Sequence, residues 1–132
     1  MANEAILRTK TEEPILMAID DTAGVEKGTI MMLEDPRKVS GTNITTGNTF
    51  GGIMRREKIA NDGRTQAACF FGGIFDMKVN SSVAVTLGAQ VCLSGANLIR
   101  DATEAEIAAG AAIGKALETG AASEVIQVFV GK

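Results

Sequence analysis

Residues 87–132 read LGAQVCLSGANLIRDATEAEIAAGAAIGKALETGAASEVIQVFVGK, and this stretch decides the fold class. A short apolar run, Ala89 to Leu93, lies between Gly88 and Gly95; a longer one, Val125 to Val130, follows the break at Thr119-Gly120. Short β-rich runs set off by glycine predict a small closed or double-layered β-fold. In the longer run Val125, Gln127 and Phe129 share one strand face, and Ile126, Val128 and Val130 share the other. All but Gln127 are apolar, which predicts a strand covered on both faces inside a barrel or sandwich. Between the runs, Thr103 and Glu106 have the spacing of a capping box. They predict a helix of one to two turns that stops at Gly110.

The same grammar extends toward the N-terminus. Ile15-Leu16-Met17-Ala18-Ile19 reads as a buried strand that Pro14 can precede, because proline is tolerated at a strand start. Asp20 to Gly24 is turn chemistry, and Thr29 to Leu33 is a second strand. Residues 39–48, rich in Ser, Thr, Asn and Gly, read as a long surface loop. Phe50 to Met54 starts another strand, Asn61-Asp62-Gly63-Arg64 is a hairpin signal, and Thr65 to Val79 gives a long strand pattern broken at Gly72-Gly73. That double glycine predicts a bulge or a sharp bend that lets one strand serve two sheets. Met1 to Glu13 is polar and unpatterned, either a frayed terminus or an arm that orders on a partner. No internal repeat of fixed period is visible. The expectation is a mainly β fold: a small β-barrel or β-sandwich (β-clip-like) with one short helix and an extended N-terminal arm. Residues 1–13 form the arm and 14–132 a single β-rich domain.

The chain has 132 residues, 45% of them hydrophobic, which suits one globular domain and excludes a disordered chain. It has five Phe and neither Trp nor Tyr, so its core is aliphatic and oligomerisation is a further source of buried area. The formal charge of −3 argues against a nucleic-acid-binding module. No run is long enough to span a bilayer as a helix, and the start does not read as a signal peptide; the expectation is a protein made in the cytoplasm.

Candidate chemistry is sparse. There is no histidine to activate a serine or to ligate zinc. Cys69 and Cys92 lie in apolar stretches and read as buried, inert thiols. Asp20-Asp21 and Glu34-Asp35 sit in turns, where adjacent side chains diverge, so they read as solvated acids. No glycine motif has the phosphate-cradling form, since Gly114-Lys115 is followed by Ala116. The reading is of no catalytic residue, no cofactor and no metal site. Charge is segregated: Lys and Arg outnumber Asp and Glu six to two over 36–64, and acids outnumber bases five to one over 14–35. An ordinary solvated face and charge complementarity, between copies or with an acidic partner, are equally open.

Five segments together resemble a known family: Thr22-Ala-Gly-Val-Glu-Lys-Gly-Thr-Ile-Met-Met-Leu33, Gly72-Gly-Ile-Phe-Asp-Met-Lys-Val79, Thr86 to Gly95, Ala112-Ile-Gly-Lys-Ala-Leu-Glu118 and Val125 to Val130. Their order is similar to that of the capsid decoration, or cement, proteins of tailed phages and related viruses. The resemblance implies a non-enzymatic structural virion protein on the outer capsid surface. Such proteins bind and bridge major capsid subunits, often as homotrimers, without direct nucleic-acid or membrane contact. The long loop at 39–49 is less typical of the pattern. Candidate partner-binding residues are Asn3, Ile6, Leu7 and Arg8 of the arm, Arg55 and Arg56 of the basic segment, and Phe70, Phe71, Phe75 and Phe129. Contacts between copies are expected on the 70–79 and 125–130 strands. A non-catalytic β-domain acting as accessory subunit of an enzyme complex is the alternative.

Overall fold

The structure, a computed structural model, describes residues 3–131. It is mainly β, 43% strand and 4% helix, and its strands close into small barrels. The first barrel is built from β2 (Ile15–Ile19), β3 (Ile30–Glu34), β4 (Lys38–Ser40), β5 (Phe50–Met54) and β6 (Gln66–Phe70), in the ring order β2-β4-β3-β5-β6. The second uses β7 (Gly73–Val79), β8 (Gln90–Leu93), β9 (Leu98–Asp101), β10 (Gly114–Ala116) and β11 (Val125–Val130). Its sheet runs β7-β11-β10-β8-β9, and a β7–β9 pairing joins the ends. The residues expected to form one β-rich domain therefore form two barrels. The bend at Gly72-Gly73 is where the chain passes between them: β6 ends at Phe70 in one ring and β7 starts at Gly73 in the other.

The barrels repeat one topology, contrary to the reading of no internal repeat. In each, the first strand pairs in parallel with the third, through Ala18↔Lys38 and Ile19↔Val39 in one ring and Lys78↔Leu98 and Val79↔Ile99 in the other. The bridge between Val25 and Lys58 has its counterpart between Val85 and Gly120. Left-handed backbone recurs at matching turns, with φ of 85° at Gly28 and 81° at Gly88, 53° at Arg37 and 58° at Asn97, 58° at Asn61 and 69° at Ser123. Between residues 15–40 and 75–100, only Met17/Met77, Val25/Val85, Gly28/Gly88 and Leu33/Leu93 are identical. The backbone repeats while the side chains have diverged, which hides the repeat from a reading of residue types.

The arm is not frayed over its whole length. Ile6–Thr9 forms β1, which adds to the second barrel by pairing antiparallel with the first half of β7. Just before it, the Ala5 N–H donates to the Gly28 carbonyl of the first barrel at 2.8 Å. Residues 41–49 likewise join the barrels. The Gly47 N–H donates to the Leu93 carbonyl at 2.9 Å, and Arg100 Nε donates to Thr46 Oγ1 at 2.9 Å. The short helix α1 (Glu104–Ala108) starts as expected at N-cap Thr103, with both bonds of the capping box made. Glu106 also pairs with Arg100, so the helix start holds the residue that holds the loop.

One buried cluster runs from Ile30, Phe50, Ile53 and Phe70 of the first barrel into Phe75, Leu93, Ile113 and Val128 of the second. A smaller cluster, with Met31, Val39, Met54 and Cys69, fills the first barrel alone. β5 is buried along its whole length because its inward face meets the first core and its outward face meets the second barrel. β11 departs from expectation. Ile126, Val128 and Val130 are buried, whereas Val125 is exposed and Phe129 half-buried, so one face is only partly covered.

Candidate functional site

A cleft of about 700 Å³ lies where β1 crosses the seam between the barrels. Ile6 and Leu7 of β1 form one wall. The turn at Lys27-Gly28 and the segment from Ile53 to Arg56 form the other. Phe70 and Phe75 lie beneath, with ring centroids 5.8 Å apart in an edge-to-face contact. Local backbone makes this possible. Gly28 holds a φ of 85°, and a Cβ there would meet the Ala5 carbonyl oxygen and Glu4 Cβ, so only glycine lets the arm approach so closely. Glu4 puts one carboxylate oxygen, Oε2, out of solvent at the same place, without a hydrogen-bond partner among the described residues.

The structure thus gathers Ile6, Leu7, Arg55, Arg56, Phe70 and Phe75, six of the residues singled out from the sequence, around one cleft. Phe70 and Phe75 are buried and contribute its floor; they offer no outward strand surface. The other four residues lie elsewhere. Asn3 is exposed, with a left-handed φ of 65°. Arg8 is committed within the chain, its Nε 3.1 Å from Asp76 Oδ2. Phe71 is half-buried, edge-on to Phe50 and in contact with both cores. Phe129 stands on the half-covered face of β11.

No family model matches the chain, and no curated protein matches it.

The cleft is chemically simple. Its floor is apolar and its rim carries Lys27, Arg55 and Arg56, all three exposed. None of the three makes an ion pair among the described residues. A second, smaller hollow adjoins it through Met54, Arg55 and Arg56 and continues along Leu16, Arg64 and Gln66. Together they form a surface fit for a ligand with an apolar face and negative charge.

A buried charge escaped the sequence reading. Lys58 belongs to the basic run read as a surface, whether solvated or facing a partner, yet it is only 2% exposed. Its Nζ donates to Asp21 Oδ1 at 2.9 Å and Asp62 Oδ1 at 3.2 Å, and to the carbonyls of Asp21 and Ile59. Burial alone would lower its pKa; the bonds to Asp21 and Asp62 outweigh burial and raise it above the usual lysine value. Asp62 is held well below the usual carboxylate range, first by the Arg64 N–H and then by Lys58. Asp21 also accepts from the Gly63 N–H at 3.0 Å. It is therefore a structural acceptor that ties its own turn to the Lys58 ammonium and to the turn at Gly63, a correction to its reading as a solvated acid. Its neighbour Asp20 points to a different cation, Lys38, at 3.2 Å, in keeping with the divergence expected of an adjacent pair. Among the described residues, no group of three or more His, Cys, Asp or Glu could hold a metal ion.

Both cysteines are free and buried. Burial pushes the Cys69 thiol up to about 12 and is the main cause that pushes Cys92 up to about 11. Among the described residues, no helix is long and apolar enough to cross a membrane.

Proposed function

We propose that this chain is a structural virion protein that docks on the outer surface of an assembled capsid and bridges neighbouring major capsid subunits. The reading starts from the resemblance to decoration proteins in the order of five sequence segments. The single structural observation that supports it is the cleft at the barrel seam, an apolar trough flanked by the exposed cations Arg55 and Arg56. Such a trough suits a protein segment carrying acidic and apolar side chains. Bridging is multivalent: modest affinity at each copy becomes durable attachment when several contacts form together.

The test is electron microscopy of empty shells incubated with the purified protein. The expected result is regular density on the outer face, lost when Arg55 and Arg56 are both changed to Glu. Shells that stay bare at every concentration overturn the proposal.

A further inference from the structure

Equivalent residues of the two barrels differ sharply in burial. At one end of the second barrel Phe75 is 1% exposed and Leu93 0%. Their counterparts at the same end of the first barrel, Ile15 and Leu33, are 50% and 38% exposed. What encloses the second barrel's end is the flank of the first. Phe70 meets the Phe75 ring, the Gly47 N–H reaches the Leu93 carbonyl, and the Phe50 N–H reaches the Gly110 carbonyl at 3.3 Å. At the centre of that flank is the cross-strand pair Ile53↔Phe70, both buried. Its counterpart on the second barrel is the pair Lys115↔Phe129, where Lys115 is exposed and Phe129 half-buried. Each barrel has the same end and the same flank, and the chain covers only one of each.

We infer that a second copy of this chain completes the pattern. The exposed end of one copy's first barrel, at Ile15 and Leu33, docks against the β10–β11 flank of its neighbour's second barrel, at Lys115 and Phe129. The charges are complementary: Asp35 follows the exposed end of β3, and Lys115 projects from the flank, neither with an ion pair among the described residues. Within one chain the same end-on-flank contact already buries Phe75 and Leu93, so the packing mode is one this backbone is built to make. The two sides of the joint are different patches. Association is therefore head-to-tail and closes into a ring when the rotation allows. The inference does not depend on the capsid reading.

Light scattering of the wild-type chain with two variants, Ile15→Glu and Lys115→Glu, tests it. The wild type is expected to form a discrete oligomer and each variant alone a folded monomer. Mixing the two variants is expected to restore dimers and nothing larger, because each supplies the half that the other lacks. A carbodiimide crosslink in the wild-type dimer is expected between Lys115 and Glu34 or Asp35, a readout that no variant's folding affects. A monomeric wild type, variants that assemble like the wild type, a mixture that stays monomeric, or a dimer crosslinked only elsewhere overturns it.

Discussion

Asn97 Oδ1 accepts a hydrogen bond from the backbone N–H of Ile30 at 3.0 Å, out of contact with water, and so fastens a turn of the second barrel to the start of β3 in the first. Asn97 holds a left-handed φ of 58°, a conformation that asparagine tolerates better than most residues. Asn97→Ala removes the acceptor, leaves a buried N–H unpaired and keeps the backbone strain. It should destabilise the chain by about 2–4 kcal/mol in urea denaturation. Asn97→Gly relieves the strain but not the lost bond and should cost less. If neither variant shifts the urea midpoint, the bond contributes nothing to stability.

The pair Gly28 and Gly88 separates backbone strain from arm packing. Both have φ above 80°, but a Cβ at Gly88 meets nothing within 4 Å, whereas one at Gly28 runs into Ala5 and Glu4. Gly88→Ala should cost about 1–2 kcal/mol, the left-handed penalty alone. Gly28→Ala should cost more and also loosen β1, seen as faster amide hydrogen exchange at residues 5–9. Equal exchange in the two variants would show that the arm does not depend on Gly28.

Lys58→Met tests the buried ammonium. It deprives Asp21 and Asp62 of their shared donor, and both carboxylates are partly solvated, so the expected loss is about 1–3 kcal/mol. A variant more stable than wild type would mean that desolvating the amine outweighs its bonds.

Stability should fall in acid through Glu106. The Arg100 hydrogen bonds, followed by the Thr103 N–H, hold its carboxyl near about 2 in the fold, below the ordinary value of 4.5. A depressed carboxylate contributes stability that is complete above the unfolded pKa and disappears as pH falls through the folded one. The loss is thus expected between pH 4.5 and about 2. Glu106→Gln should flatten the stability profile in that window and free the 41–49 loop, which Arg100 holds. An unchanged acid profile in the variant would assign the effect to other carboxylates.

The thiols should be inert in the fold. With both pKa values raised to about 11 or above by burial, iodoacetamide at neutral pH should label neither Cys69 nor Cys92 until denaturant is added. Native labelling of either would show that its strand opens.

What could be read from residues alone was whatever is written locally. The glycine bend at 72–73 and the capping box at Thr103 and Glu106 each carry their signal within a few positions, and each stands in the fold where expected. Ile15–Ile19 is a strand as read, but not a buried one: Ile15 and Leu16 are exposed and only Ile19 is buried, because the outer end of its barrel is left uncovered. Lys38–Ser40 and Leu98–Asp101 were not legible, because three or four mixed residues carry no strand pattern of their own and become strands only by pairing, antiparallel with the strand before and in parallel with the first strand of the barrel. β1 escaped for the same reason: Ile6 and Leu7 become a strand only on β7. Burial of Lys58 depends on acids from two other turns, and no spacing rule marks that. For the cleft, the residue types Ile6, Leu7, Arg55 and Arg56 could be picked out, but their meeting across the seam depends on the two-barrel arrangement.

The double burial of β5 has a consequence for the chain as it is made. Phe50 and Ile53 leave the ribosome long before the residues that cover their outward side, since Phe75, Leu93 and Val128 follow later in the sequence. The first ring can close on its own hydrogen bonds while one wall stays bare to solvent. A nascent protein of this design is stickiest at mid-length, and a chaperone that grips it should bind β5 and let go only when β11 has emerged.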